Sequence, residues 1–278
     1  MNEQIFVTRH SKSPYKSYEN TLKSENPESP NIPDEQIEND LMEAGVELAR
    51  EKAEEFFSHL DPEKDVLFFA SSKEMRAFET AKIYRDVAKE KGFEIIAPYT
   101  EEQKEIKVGM VGNMASEDIR AINALSIHSS NQVVDNVFNP DAYLGEVNWE
   151  AVSGETKEKW KEAREIINSD DQGSWGANFF KHSETIQKIF PEVKSARDEY
   201  DTIFQKLLKL AQFAQEKIEE SQSKKNVKVM AFGHESYMLH ALNKFFSEQN
   251  MANCETLAIE VGANEIKGKF RNKEAILE

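Results

Sequence analysis

Cysteine is almost absent: Cys254 stands alone in a chain of 278 residues. One thiol cannot close an intramolecular disulfide or build a thiolate metal cluster, so a reducing, cytoplasmic setting is the expectation. Long apolar runs are missing too, and none approaches the roughly 18 residues that a membrane span needs. Met1 to Gln4 leads directly into a strand-like segment, without the basic stretch and apolar core of a secretory leader. Positive charge is scarce: 35 Lys and Arg stand against 51 Asp and Glu, a net charge of −16 spread along the chain. That field repels nucleic acid and anionic lipid, and neither is expected as a partner, although a few cations in one cleft can still hold a small anion. The phosphate loop Gly-x-x-x-x-Gly-Lys, the dinucleotide fingerprint Gly-x-Gly-x-x-Gly and the hydrolase elbow Gly-x-Ser-x-Gly do not occur, which removes the usual signals for three large enzyme classes. His240 follows His234 by six residues, where a zinc-protease helix needs four, and no metal is expected.

What is present is a chain 39% hydrophobic and 31% charged, enough for one large domain carrying an insertion. Apolar, β-prone stretches at Ile5 to Val7, Val66 to Ala70 and Val227 to Phe232 predict buried strands, with further strands at Phe93 to Ala97, Thr256 to Val261 and Glu265 to Phe270. Helices are predicted from Leu41 to Leu60, from Met75 to Lys91 with Gly92 ending it, across Tyr200 to Ile218, and from Ser236 to Phe246. The order predicts a three-layer α/β/α core with a mostly parallel sheet of five or six strands. That core takes residues 1–108 and 192–278, and an inserted, largely helical cap takes 109–191. All the tryptophans, Trp149, Trp160 and Trp175, fall in the cap with Phe179 and Phe180, either as its own small core or as an aromatic wall facing substrate. An amphipathic cap helix can bury its apolar side internally or against a second subunit, so a homodimer stays open.

Three segments follow predicted strands and should meet where open α/β sheets place ligands: Thr8-Arg9-His10, Ser72 to Ala81, and Gly233-His234-Glu235. A phosphomonoester carries nearly two negative charges, which planar guanidiniums hold best, and Arg9 and Arg76 are the candidates. Arg76 opens a helix, where free N–H groups also favour an anion, and Ser72 can donate a further hydrogen bond. The nucleophile must be neutral near pH 7, which suits the imidazole of His10; His234 then stabilises the charge that develops on transfer. A carboxyl group must protonate the leaving oxygen, and Glu105 and Glu235 compete for that part.

Arg9-His10, Ser72 with Arg76-Ala77 and Thr80-Ala81, Glu105 ahead of Gly109 and Gly112, Gly233-His234, and Leu41-Met-Glu-Ala-Gly45 with Ala49 together resemble the histidine phosphatase superfamily, the phosphoglycerate-mutase-like group. The resemblance covers residues 4–105 and 195–262, in the family's order. It implies that His10 is the nucleophile, that Arg9, Arg76 and His234 form the phosphate pocket, that Glu105 is the proton donor, and that no metal or organic cofactor is used. Three positions depart from the family's pattern. Ser11 replaces the usual glycine, keeping its N–H and adding a hydroxyl toward phosphate; Lys16 replaces a frequent Asn and can bind a second anionic group. Glu235 resembles the acidic neighbour that acid-phosphatase members use as donor. The expected function is a phosphatase acting on a small phosphomonoester through phosphohistidine, with a mutase or a phospho-ligand-binding module as alternatives.

Overall fold

The computed structural model describes residues 3–13, 41–72, 75–96, 119–121, 154–169, 175–189, 196–262 and 264–277. One sheet organises them. In chain order the elements are β1 (Glu3–Arg9), α1 (Glu43–Phe57), β2 (Asp65–Ser71), α2 (Met75–Glu90), β3 (Glu94–Ile95), β4 (Ile119–Ala121), α3 (Gly154–Asn168) and α4 (Trp175–Ile189). They continue with α5 (Ala196–Glu220), β5 (Asn226–Gly233), a 3-10 turn (Glu235–Tyr237), α6 (Leu239–Phe246), β6 (Thr256–Val261), β7 (Ile266–Phe270) and β8 (Lys273–Ile276). The strand order is β3-β2-β5-β1-β6-β7-β8, with β4 also on β2, eight strands in all. β3 and β4 share one edge of β2, at Val66–Leu67 and Phe69–Ser71.

Alternation along the strands divides the core into two layers. Ile5, Val7, Val66, Phe68, Ala70, Val229 and Ala231 meet Tyr200, Phe204, Leu207, Ala211 and Ala214 of α5 on one face. Leu67, Phe69, Met230 and Phe232 meet Ala49, Ala53 and Phe57 of α1 and Ala81 and Tyr84 of α2 on the other. Both faces of β2 and β5 are therefore buried, as their continuous apolar runs require. Gly92 closes α2 with φ +82, a left-handed conformation that a Cβ disfavours.

The sheet is mixed, which corrects the expectation of a mostly parallel sheet of five or six strands. β1, β2, β3, β4 and β5 pair in parallel, whereas β1 with β6, β6 with β7 and β7 with β8 are antiparallel. Chain length explains the change. α5, at 25 residues, can carry the chain back along the full sheet, but the 8 residues of α6 rise only about 12 Å. β6 therefore starts near the end where β5 finished and runs the opposite way. The turn from β6 to β7, closed by Gly262 N–H donating to Glu265 O at 3.0 Å, is far too short for a crossover.

Within the segment read as an inserted cap, residues 119–121 join the core sheet as β4 and residues 154–168 and 175–189 form α3 and α4. α3 and α4 pack together, tied by Asn178 Nδ2 donating to Ile167 O at 3.1 Å, and α4 rests on α5 and α6. Phe179 is buried, and Phe180 lies near the ring of His240. Trp149 lies outside the described residues. No helix among the described residues is long and apolar enough to cross a membrane.

Candidate active site

Register brings the three segments together. β1 and β5 align Arg9 with Gly233, and β2 and β5 align Ser71 with Phe232. The ladder then runs one step further, through His10 N–H to Gly233 O and Ser72 N–H to Phe232 O, both at 2.9 Å. Neighbouring strands lie about 4.8 Å apart, so His10, His234 and Ser72 emerge side by side. The two imidazole centroids are 5.2 Å apart, with the rings tilted by 65°.

Hydrogen bonds orient both rings. His10 Nδ1 lies 2.7 Å from Ser11 O. A carbonyl only accepts, so Nδ1 carries the proton and Nε2 keeps its lone pair. His234 Nε2 lies 3.0 Å from Ser72 Oγ, and the ring meets Tyr237 edge-on at 5.3 Å. Both imidazoles are held neutral. His10 is pushed from the ordinary 6.5 down to about 3, first by burial and then by the charge of Arg76, against the bond to Ser11 O and with a smaller push from Arg9. His234 lies well below its ordinary value, through burial, then Arg76, His10 and Arg9. The charges of Arg76 and Arg9 both act on the imidazole pair.

Arg76 stands in the first turn of α2 and is tied to the His10 loop through Thr80. The Thr80 hydroxyl donates to Arg76 O at 2.7 Å and accepts Ser11 N–H at 3.0 Å. Ser11 is fully buried, and its hydroxyl donates to Gly45 O at 2.6 Å. Both donors that the sequence assigns toward phosphate are therefore taken up within the protein. Loop and α1 touch so closely that a Cβ on Gly45 would lie 2.2 Å from Lys12 O. That carbonyl also accepts Met42 N–H at 3.0 Å. The resemblance of Leu41 to Gly45 to a first-helix motif thus has a local physical basis: glycine is the residue that lets the His10 loop lie on the helix.

Glu235 is 6% exposed. Its Oε1 accepts Met251 N–H at 3.0 Å, and its Oε2 lies 3.3 Å from Arg9 Nη1, which also donates to Met251 O. The Arg9 Nε–H is buried without an acceptor among the described residues. Lys16 and Glu105 lie outside the described residues. Asn253 is a site neighbour that sequence reasoning missed: its Nδ2 donates to His10 O at 2.8 Å. Cys254 N–H donates to Arg9 O at 3.0 Å, and Arg9 N–H to Glu255 O at 3.1 Å. No motif flags this loop, which is separated from His10 by most of the chain. Among the described residues, no group of three or more His, Cys, Asp or Glu side chains is arranged to hold a metal ion.

No family model and no curated protein sequence matches the chain. Among solved structures it is similar to a phosphoglycerate mutase from Bacillus anthracis str. Sterne, with 13% identity and a TM-score of 0.48, covering 97% of this chain and 92% of that one. It is also similar to a putative alpha-ribazole-5'-P phosphatase from Escherichia coli K-12, with 13% identity, TM-score 0.37 and coverage of 99% and 98%. A third is the Klebsiella sp ASR1 phytase, at 9% identity and TM-score 0.35, over 96% and 82% of the two chains. Likenesses this distant leave the chemistry to be argued from the chain's own residues.

Proposed function

We propose that this chain is a phosphomonoesterase of the histidine phosphatase type, acting on a small phosphorylated metabolite through a phosphohistidine at His10. The observation that carries the reading is the pair of imidazoles 5.2 Å apart where β1 and β5 end, with His10 Nδ1 bonded to Ser11 O so that the Nε2 lone pair stays unprotonated. Burial and the guanidiniums penalise an imidazolium. A phosphoryl dianion adds negative charge beside the rings, so the cationic phosphoimidazole becomes tolerable once substrate is bound.

His10 Nε2 attacks phosphorus while the ester P–O bond breaks, and the Nδ1–H bond to Ser11 O holds the ring as it gains positive character. Arg9, Arg76 and His234 take the non-bridging oxygens, with Ser72 orienting His234. Glu105 protonates the departing alkoxide, then takes a proton from the water that attacks phosphorus and releases inorganic phosphate. Lys16 is the cation for a second anionic group on the substrate. Ser11 acts by fixing the loop rather than by touching phosphate.

The test is turnover of a generic aryl phosphate with and without orthovanadate. Wild type should hydrolyse the ester and be inhibited by vanadate, and His10→Ala should do neither. Full turnover by His10→Ala would remove the nucleophile; tight vanadate binding without turnover would make the site a phospho-ligand binder.

A further inference from the structure

We infer that Glu235 is a positioning residue: it fixes the Arg9 guanidinium against the Met251 peptide and so sets where the first phosphate-binding arginine points. The inference rests on the phosphohistidine reading above, and it gives Glu235 a role other than proton donor.

Three groups close a ring. The Arg9 guanidinium donates to Met251 O, Glu235 Oε2 lies 3.3 Å from that same Nη1, and Glu235 Oε1 accepts Met251 N–H at 3.0 Å. One carboxylate therefore holds both the arginine and the backbone that the arginine grips. The same loop also takes hold of the nucleophile's own main chain, through Asn253 Nδ2 on His10 O and Cys254 N–H on Arg9 O. The far side of the loop is anchored in turn, since Arg271 bridges Glu248, Asn250 and Glu255. A long arginine side chain has many rotamers, and locking it in advance is what an oxyanion site requires. With one oxygen of Glu235 bound to an N–H and the other beside a guanidinium, the carboxylate is engaged as an acceptor at both oxygens. A proton donor must instead present a protonated oxygen to the leaving group.

The experiment compares wild type, Glu235→Gln, Arg9→Lys and the double variant, measuring orthovanadate affinity and kcat/KM for an aryl phosphate and an alkyl phosphate. In Glu235→Gln the amide oxygen can still accept Met251 N–H, but the charge facing Arg9 is gone. The expected result is a loss of vanadate affinity on the order of tenfold, the same fold-loss of kcat/KM for both esters, and little further loss once Arg9 is already Lys. Glu235→Asp, which keeps the charge on a shorter stem, should fall between wild type and Glu235→Gln, and it carries the cycle should the amide variant fail to fold. Loss confined to the alkyl ester, whose leaving group needs the proton more, would make Glu235 the acid and overturn the inference. So would additive losses in the double variant, or unchanged vanadate affinity in both Glu235 variants. Absence of turnover in wild type would count against the phosphatase reading, while the vanadate cycle would still decide whether Glu235 acts through Arg9.

Discussion

The two ends of strands β1, β2 and β5 handle buried charge in opposite ways. At the amino end, Lys228, 9% exposed, meets Asp65 at 3.5 Å and donates to Gln4 Oε1 at 2.6 Å. Asp65 also accepts from Asn226 Nδ2 and from Asp61 N–H, while Gln4 donates to Glu260. That network is closed within the fold. At the carboxyl end, Glu235 holds one edge of Arg9, and both imidazoles lie well below their ordinary value, through burial first and then the charges of Arg76 and Arg9. One end closes its charges into a network of side chains; at the other, burial and the charges of Arg76 and Arg9 disfavour a further positive charge on either ring. The contrast supports the proposed function, in which the carboxyl end is the working end.

Mutations at the two ends should therefore move different observables. The largest effect is expected from His10→Ala, which should lower turnover of an aryl phosphate by roughly a thousandfold or more while leaving the thermal midpoint nearly in place. Next comes Lys228→Met, which strands Asp65 and should cost about 3 kcal/mol of stability in urea titration, with kcat of the folded protein unchanged. A change in kcat there would erase the contrast. Arg76→Lys replaces a planar fork with a point charge and should lower kcat/KM by roughly ten- to a hundredfold; equal activity would show that the guanidinium does not grip substrate.

A fourth measurement sharpens the electrostatic side. Because His10 titrates near 3 in the folded chain and near 6.5 when free, the unfolded state binds its proton first as pH falls. The contribution of the neutral ring is intact above the free value and declines below it, by about 1.4 kcal/mol for each pH unit, until the folded value is reached. Urea midpoints measured from pH 7 down to pH 4 should fall, and His10→Gln should flatten part of that slope. An identical slope in the variant would mean that His10 is not the group held neutral.

The contrast also shows what a sequence can carry. The apolar runs before His10, Ser72 and His234 predicted strand ends at one rim, and they lie there because β1, β2 and β5 pair in parallel. The pairing direction of β6, β7 and β8 was not legible, since apolar pattern marks burial and not strand sense; the length of α6 and the short turn after Val261 decided it. β8, Lys-Glu-Ala-Ile, is too short and polar to signal a strand. Asn253 and Met251 carry no motif, and their part in the site appears only when β6 brings the loop before it against β1. Ser11 could be read as a donor toward phosphate because sequence gives the hydroxyl but not its direction; Thr80 and Gly45 take both of its donors.

The most direct test of the central claim is to mix the protein with an aryl phosphate, quench during turnover, and locate any protein-bound phosphate by mass spectrometry. The account predicts an acid-labile, alkali-stable phosphate on the peptide containing His10, absent from His10→Ala. A phosphate on another residue, or steady hydrolysis with no phosphoenzyme at any quench time, would contradict it.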